Sequence, residues 1–194
     1  MNWNKVNQFL VKEHVALFKA ANNYDIYDLE SGQQLLECRE ENLGIFTKIL
    51  RFTDYKRMTP FSVQIRDMSG KLVVEVTRGI SLINSTVTVT DAETQVIGTF
   101  SQKFFSIGGK FAVLDKNQVE ISMLQGKWTG WDFKFSSATA EHAHVTKKWA
   151  GIGKELFTSA DNYVLDISSL VPANSDLKKL ILAAVMCIDM VLKE

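Results

Sequence analysis

The sequence of 194 residues predicts a mainly β protein, a closed antiparallel β-barrel that encloses a hydrophobic C-terminal α-helix. Three observations predict this fold: apolar-polar alternation over residues 24–136, Asp-rich turns between the alternating runs, and an uninterrupted apolar run over residues 180–188. Hydrophobic residues make up 46% of the chain and charged residues 23%, which is typical of a globular protein and excludes extensive disorder. No linker composition interrupts the chain, so we expect a single domain over residues 1–194.

The strands are predicted from short runs rich in Val, Ile, Phe and Thr. Residues 61–65, 72–76, 86–90 and 119–123 alternate between apolar and polar side chains. A period of two gives each strand one buried face and one wet face. Near the N-terminus the apolar residues are spaced for about one and a half helical turns, so this stretch leaves helix and strand open.

The turns are predicted from acidic residues that end the alternating runs. Asp28, Asp67, Asp91 and Asp115 each precede a short polar segment, and the last three are evenly spaced. Asp side chains accept hydrogen bonds from the amides of their own turn, which favours hairpin turns at these positions. A metal-binding Asp repeat is the alternative, and turn chemistry already accounts for these residues without it.

The C-terminal segment predicts one helix over residues 176–192, with Ser175 as its N-cap. Residues 180–188 have no polar face, and a helix of that kind is surrounded on every side. A closed sheet is the natural container in a β-rich chain, because closure also removes exposed sheet edges. Membrane insertion in some state stays open, although the run is shorter than the ~20 residues of a span and Asp189 interrupts it.

Catalytic and metal-binding patterns are weak in this sequence. His142 and His144 form an HxH pair, which falls short of the three or four ligands of a zinc site. Cys38 and Cys187 share no metal or redox spacing, which fits a reducing compartment. No nucleophile and base stand in a catalytic pattern, so we expect a protein that is not an enzyme. The net charge of zero argues against a nucleic-acid partner.

Two clusters interleave basic and aromatic residues, a composition that suits contact with anionic lipid head groups. A solvated surface is the alternative interpretation. The candidate lipid-binding residues are Lys48, Arg51, Lys56 and Arg57 in the first cluster and Lys147, Lys148 and Lys154 in the second.

Residues 148–163, KWAGIGKELFTSADNY, resemble the phospholipid scramblase family, which carries a Trp-x-Gly-x-x-x-Glu-x-Phe-Thr-Asp-Ala-Asp-Asn-Phe pattern. Residues 183–190, AAVMCIDM, resemble the helix of that family. The resemblance implies a barrel of about twelve strands around a central helix, similar to the tubby C-terminal domain and to LURP-one-related proteins. It also implies calcium-dependent movement of phospholipids between leaflets, and related tubby-like domains bind phosphoinositides.

The calcium loop that the resemblance implies is incomplete here. Asp161 and Asn162 match the family, but Ser159 and Leu170 stand where the loop's first and last ligands are expected. Calcium prefers six to eight oxygen ligands with several carboxylates, so we expect weak calcium binding at most and no other cofactor.

The predicted function is that of a scramblase-family protein that binds or translocates phospholipids at an anionic membrane surface. The alternative is a soluble tubby-like interaction module, for a lipid head group or an unknown protein partner, without scramblase activity. The expected location is the cytoplasm, peripheral at the inner face of the membrane, because no secretory signal opens the sequence.

Overall fold

The computed structural model describes residues 2–14, 23–40, 59–80, 85–102, 109–127, 131–147 and 162–192. Their main chain forms a closed antiparallel barrel of twelve strands with a C-terminal helix. The strands are β1 (Gln8–Glu13), β2 (Tyr24–Asp28), β3 (Gln34–Glu40), β4 (Phe61–Asp67), β5 (Leu72–Arg78), β6 (Thr86–Asp91), β7 (Val96–Gln102), β8 (Lys110–Asp115), β9 (Glu120–Lys127), β10 (Asp132–Ser136), β11 (Glu141–Thr146) and β12 (Asn162–Ile167). The helix is α1 (Asp176–Cys187).

The barrel is an up-and-down meander in which each strand pairs with the next one along the chain. The pairing of β1 with β12 closes it, with Phe9 opposite Leu165 and Val11 opposite Tyr163. The predicted alternation is present along the strands, since the burial pattern of β4 and of β2 changes at every residue over most of its length. The predicted closed barrel is therefore confirmed, including its number of strands.

The N-terminal stretch forms a strand and not a helix. A single 3₁₀ turn over Trp3–Lys5 leads into β1, whose Phe9, Leu10 and Val11 are buried. β1 takes this form because it is paired on both sides, with β2 and with β12. Its backbone amides and carbonyls are thereby satisfied within the sheet, which closure of the barrel requires.

The helix begins at the predicted cap. The Ser175 hydroxyl accepts a hydrogen bond from the backbone N–H of Lys178 at 3.2 Å, and Asp176 lies in the first turn. Every residue from Leu180 to Cys187 is buried, as an apolar helix inside a barrel requires. The α-helix ends at Cys187 and residues Ile188–Leu192 continue as π-helix, so the predicted single helix over 176–192 changes type near its end.

Gly98 of β7 lets the helix approach the barrel wall. A Cβ at this position would lie 3.0 Å from the Leu180 methyl groups and 2.5 Å from the carbonyl oxygen of Leu114 on β8. No side chain fits there without movement of the backbone or the helix. Glycine is thus required by close packing.

The Asp-rich turns lie together at one end of the barrel, which we call the turn end. It carries the connections β2–β3, β4–β5, β6–β7, β8–β9 and β10–β11 and the entry into α1. Asp115 Oδ1 accepts hydrogen bonds from the backbone N–H groups of Asn117 at 2.8 Å and Val119 at 2.9 Å. Asp67 and Asp91 accept from their own turns in the same way, so the predicted turn chemistry is confirmed.

Candidate functional site

The opposite end of the barrel carries the longer connections, and we call it the connection end. Strands β1, β3, β5, β7, β9 and β11 end there and their successors begin there. Residues 41–60 join β3 to β4 and residues 147–161 join β11 to β12. The two predicted basic clusters therefore belong to connections at the same end, although they are far apart in the sequence.

Two of the predicted site residues are described by the structure, Lys147 and Asn162. Asn162 is the first residue of β12 and is buried. Outside the described residues lie Lys48, Arg51, Lys56, Arg57, Lys148, Lys154 and Asp161. Their roles in lipid and calcium binding therefore stay predictions.

Lys147 contacts an aromatic pair at the connection end. Its Nζ lies 4.5 Å from the ring centroid of Trp131 and 5.1 Å from that of Tyr163. The two rings are stacked, with centroids 4.4 Å apart and planes inclined by 22°. Their faces are rich in electron density and attract cations at such distances. Strands β10, β11 and β12 are neighbours in the barrel, which brings the three residues together.

Tyr163 connects this surface group to the interior of the barrel. Its hydroxyl donates a hydrogen bond of 2.7 Å to the carboxyl group of Asp189, and the hydroxyl of Tyr24 donates to the other oxygen of that group. Asp189 and both tyrosines are buried. Burial, and then the negative charge of Asp189, raise the pKa of Tyr24 well above its usual value. Asp189 thus connects the C-terminal end of the helical segment to β2 through Tyr24 and to β12 through Tyr163.

Two thiols are also buried in this half of the core. The Sγ of Cys38 lies 3.1 Å from the Sδ of Met186 on the helix, and Cys187 is the next residue. Burial raises the pKa of both thiols above its ordinary value. Both cysteines are therefore packing residues, because a reactive thiol requires an accessible thiolate.

The turn end has the opposite character. An open cavity of about 600 Å³ there is lined by Asp28, Glu30 and Asp166 together with Lys5 and Ser168. Three carboxyl groups against one amine repel phosphate. This cavity therefore does not suit a phospholipid head group.

Lys178 is buried below this end, in the first turn of α1. Its Nζ donates hydrogen bonds of 2.7 Å to the carbonyl of Asn4 and 2.8 Å to Oδ1 of Asn7. Burial lowers the pKa of Lys178 from its usual value. The lysine joins the N-terminal segment to the start of the helix, which is a structural role.

The histidine pair does not form a metal centre with other described residues. His144 Nε2 lies 2.8 Å from the carboxyl of Asp132, and the His142 ring packs edge-on against Phe135. Among the described ranges, no three His, Cys, Asp or Glu side chains are grouped closely enough to hold a metal ion.

The apolar run over residues 180–188 left membrane insertion open as an interpretation. Within the part of the chain that the structure describes, no helix combines the length and apolar character that crossing a membrane demands.

The family model described as Scramblase matches residues 6–194, so the chain belongs to the scramblase family. The predicted scramblase family is thus confirmed. This is not an enzyme family in the usual sense.

Two curated fungal proteins are similar to this chain. Altered inheritance rate of mitochondria protein 25 of Saccharomyces cerevisiae is 25% identical over 177 residues, which cover 78% of this chain and 54% of that protein. A phospholipid scramblase family protein of Schizosaccharomyces pombe is 24% identical over 171 residues, 84% of this chain and 45% of that protein. The chain thus spans about half the length of the curated relatives it matches.

A solved structure of an Arabidopsis thaliana protein shares the fold. It has a TM-score of 0.51 and 14% sequence identity, over 93% of this chain and 92% of that chain. At this identity, the likeness concerns the fold alone.

Proposed function

We propose that this protein, acting as one domain over residues 1–194, binds phospholipids at a membrane surface and moves them between leaflets. Membership of the scramblase family over residues 6–194 is the observation that carries this proposal. The connection end is the surface that faces the lipid. Support for this orientation comes from the topology, because both basic clusters belong to connections at that end.

The charges at the two ends support the same orientation. The seven basic residues of the two clusters attract anionic head groups, each by about 1 kcal/mol when it reaches the surface. The cavity at the turn end is lined by Asp28, Glu30 and Asp166 against Lys5 alone, and these carboxyl groups repel anionic head groups. The inner leaflet is the anionic one, so a peripheral position at the cytoplasmic face follows from this proposal.

Calcium is not required in this proposal. Asp161 and Asn162 are the remaining ligands of the loop that the family resemblance implies, and Ser159 and Leu170 supply no carboxylate. Two oxygen ligands are far from the six to eight that calcium takes. Binding to anionic vesicles is expected to be the same with calcium and with a chelator.

Vesicle flotation tests the orientation with two matched quadruple variants, in each of which four cations become Gln. The connection-end variant changes Lys48, Arg51, Lys56 and Arg57. The turn-end control changes Lys5, Lys71, Lys116 and Lys179. Both lower the net charge equally, so a difference between them reports position.

We expect the connection-end variant to bind phosphatidylserine vesicles at least about tenfold more weakly, since four cations contribute about 1 kcal/mol each. The turn-end control is expected to change binding less than about twofold, and added salt to weaken binding by the unchanged protein. Equal losses in the two variants would refute the orientation.

Leaflet exchange is tested separately, with fluorescent phospholipid in reconstituted vesicles and dithionite quenching of the outer leaflet. Exchange that rises with protein density supports translocation. Binding without exchange at any density refutes translocation, and the protein is then a lipid-binding module.

A further inference from the structure

Two open cavities lie along the N-terminal segment at the turn end. The first, of about 600 Å³, is lined by residues 5–8 with the end of β12 and the start of the β2–β3 turn. The second, of about 360 Å³, is lined by residues 2–4 with the β4–β5 and β6–β7 turns. Lys178 fixes the segment between them through its hydrogen bonds to Asn4 and Asn7. This end of the barrel is therefore a grooved surface.

Apolar side chains are exposed at the same end. Among the residues that the structure describes, five large apolar side chains are exposed, and four of them lie in or beside the turn-end connections: Met68, Val96, Val119 and Leu170. Leu170 is 75% exposed and Val119 58%. Single exposed apolar residues are normal, but apolar residues gathered at one surface among polar ones mark interaction sites.

The turn end also carries an excess of negative charge. Ten acidic and five basic residues belong to its segments, which are residues 2–8, 28–34, 67–72, 91–96, 115–120, 136–141 and 166–179. The whole chain has a net charge of zero, so the remainder of the chain carries the balancing positive charge. A negative surface of this kind steers basic partners towards it.

The turns keep their shape and charge without a partner. The carboxyl group of Asp28 accepts a hydrogen bond of 2.5 Å from the Ser31 hydroxyl, and this bond lowers the pKa of Asp28 from its usual value. Asp67 is held in the same way by Ser69. A surface that is already formed loses little conformational freedom when a partner binds.

Charge decides between the possible occupants of this surface. An anionic membrane is repelled by it. Two copies of the chain joined through their turn ends would bring equal negative charges together, which disfavours a symmetric dimer. A basic segment of another protein suits both features, because its cations pair with the carboxyl groups and its apolar side chains cover Met68 and Leu170.

We propose that the turn end is a docking surface for a basic protein segment in which Lys or Arg residues alternate with apolar residues. The cations lie against Glu30, Glu93 and Asp166, which line the two cavities, and the apolar side chains contact Met68 and Leu170. The inference goes beyond the proposed function and does not depend on it, although the proposed orientation leaves this end facing away from the lipid.

The test is the fluorescence anisotropy of labelled peptides titrated with the full chain in the absence of lipid. Three peptides of equal length alternate Lys with Leu, Lys with Ser, and Glu with Leu. An acid variant changes three carboxyl groups of the cavities, and a wall control changes three on strands β3, β5 and β10. The acid variant is Glu30→Gln, Glu93→Gln and Asp166→Asn, and the wall control is Glu37→Gln, Glu75→Gln and Asp132→Asn.

An apolar variant, Met68→Ser with Leu170→Ser, tests the other half of the surface. Ile80→Ser is its control, because Ile80 is 76% exposed but follows β5 at the connection end. These side chains are exposed, so their replacement leaves the core unchanged. Thermal unfolding shows that each variant is folded.

We expect the Lys–Leu peptide to bind and the Glu–Leu peptide not to bind. The acid variant should weaken the Lys–Leu peptide by about fivefold or more and the wall control by less than about twofold. The apolar variant should weaken it by about fivefold, and Ile80→Ser should leave it unchanged. The Lys–Ser peptide should bind more weakly than the Lys–Leu peptide to the unchanged protein.

Equal losses in the acid variant and the wall control would overturn the proposal, because binding would then report net charge alone. Equal affinity of the Lys–Leu and Lys–Ser peptides would overturn it as well, since adventitious association of a cationic peptide needs no apolar contact. Self-association of the unchanged protein in sedimentation, removed by the apolar variant, would assign the surface to a second copy and overturn the proposal. Peptide binding as expected by a protein that does not bind phosphatidylserine vesicles would refute the proposed function and still support the docking surface.

Discussion

Asp189 is the group whose removal we expect to be most informative about the helix. Its carboxyl group is buried and accepts hydrogen bonds from the hydroxyls of Tyr24 and Tyr163. Asp189→Leu leaves both hydroxyls buried without this acceptor, which costs about 1–3 kcal/mol each. Burial of the leucine returns about 1.5–3 kcal/mol. At the midpoints of these ranges, about 4 kcal/mol of hydrogen bonding is lost and about 2 kcal/mol of burial is gained, so the free energy of unfolding falls by about 2 kcal/mol.

The triple variant Asp189→Leu, Tyr24→Phe and Tyr163→Phe separates hydrogen bonding from packing. It removes the two hydroxyls together with their acceptor, and replacing both sides of a hydrogen bond by apolar groups of similar shape is close to neutral. We expect its stability to return to within about 1 kcal/mol of the unchanged protein.

Urea unfolding followed by far-ultraviolet circular dichroism measures both variants at one pH and salt concentration. The midpoint of the single variant should fall and that of the triple variant should recover, with the same denaturant slope. A single variant as stable as the unchanged protein would show that the hydroxyls do not depend on Asp189. A triple variant no better than the single one would show that packing, and not hydrogen bonding, was lost.

Three further predictions concern the barrel. Gly98→Ala should lower the free energy of unfolding by about 1–3 kcal/mol, because the added methyl group meets the backbone of β8 and the helix. Gly79→Ala is the control, since Gly79 has open space around it, and should change the free energy of unfolding by less than about 0.5 kcal/mol. Equal effects of the two variants in urea unfolding would contradict this prediction. Thr94→Gly should raise the melting temperature, because the φ of 62° at this position costs a β-branched residue about 1 kcal/mol. Gly70→Ala should lower the melting temperature, because the φ of Gly70 is also positive, at 83°. A lower melting temperature for Thr94→Gly would contradict this prediction. The free energy of unfolding should fall as the pH rises above the usual thiol pKa of 9.0. Above that pH the Cys187 thiol loses its proton in the unfolded chain, whereas burial raises its pKa and keeps it protonated in the folded chain. In urea unfolding at a series of pH values, Cys187→Ala should reduce the slope of stability against pH by about 1.4 kcal/mol per pH unit. An unchanged slope would show that Cys187 does not cause the loss of stability.

The strands and turns were predictable because their signals are local. Alternation over residues 61–65 and the side chain of Asp115 each act within a few residues. The apolar helix was predictable for a similar reason, since a helix that is apolar on every face must be buried on all sides. By contrast, β1 was left open because the strand that completes its pairing, β12, lies at the other end of the chain.

The change to π-helix after Cys187 was also beyond local reasoning. It coincides with the place where Asp189 meets two tyrosines from distant strands. Asp189 within an apolar run did give a signal, because a buried acid needs partners. Nothing in the sequence said which side chains those partners were.

The candidate site was predicted in part. Lys147 was singled out as basic, but Trp131 and Tyr163 were not linked to it, because their contact depends on the neighbouring positions of three strands. A left-handed φ at a tryptophan has no signature in a single sequence. The two basic clusters were found separately, and the meander was needed to assign them to one end.

The position of the helix in the chain has a consequence for synthesis. All twelve strands precede the helix in the chain, so the strands of the barrel leave the ribosome before the helix that packs inside them. Until residues 176–192 emerge, the helix does not cover the inward apolar faces of the strands. Exposed apolar surface of that kind promotes aggregation. We therefore expect nascent chains halted before Asp176 to be bound by chaperones and cleared, and a helix supplied as a separate peptide to rescue them.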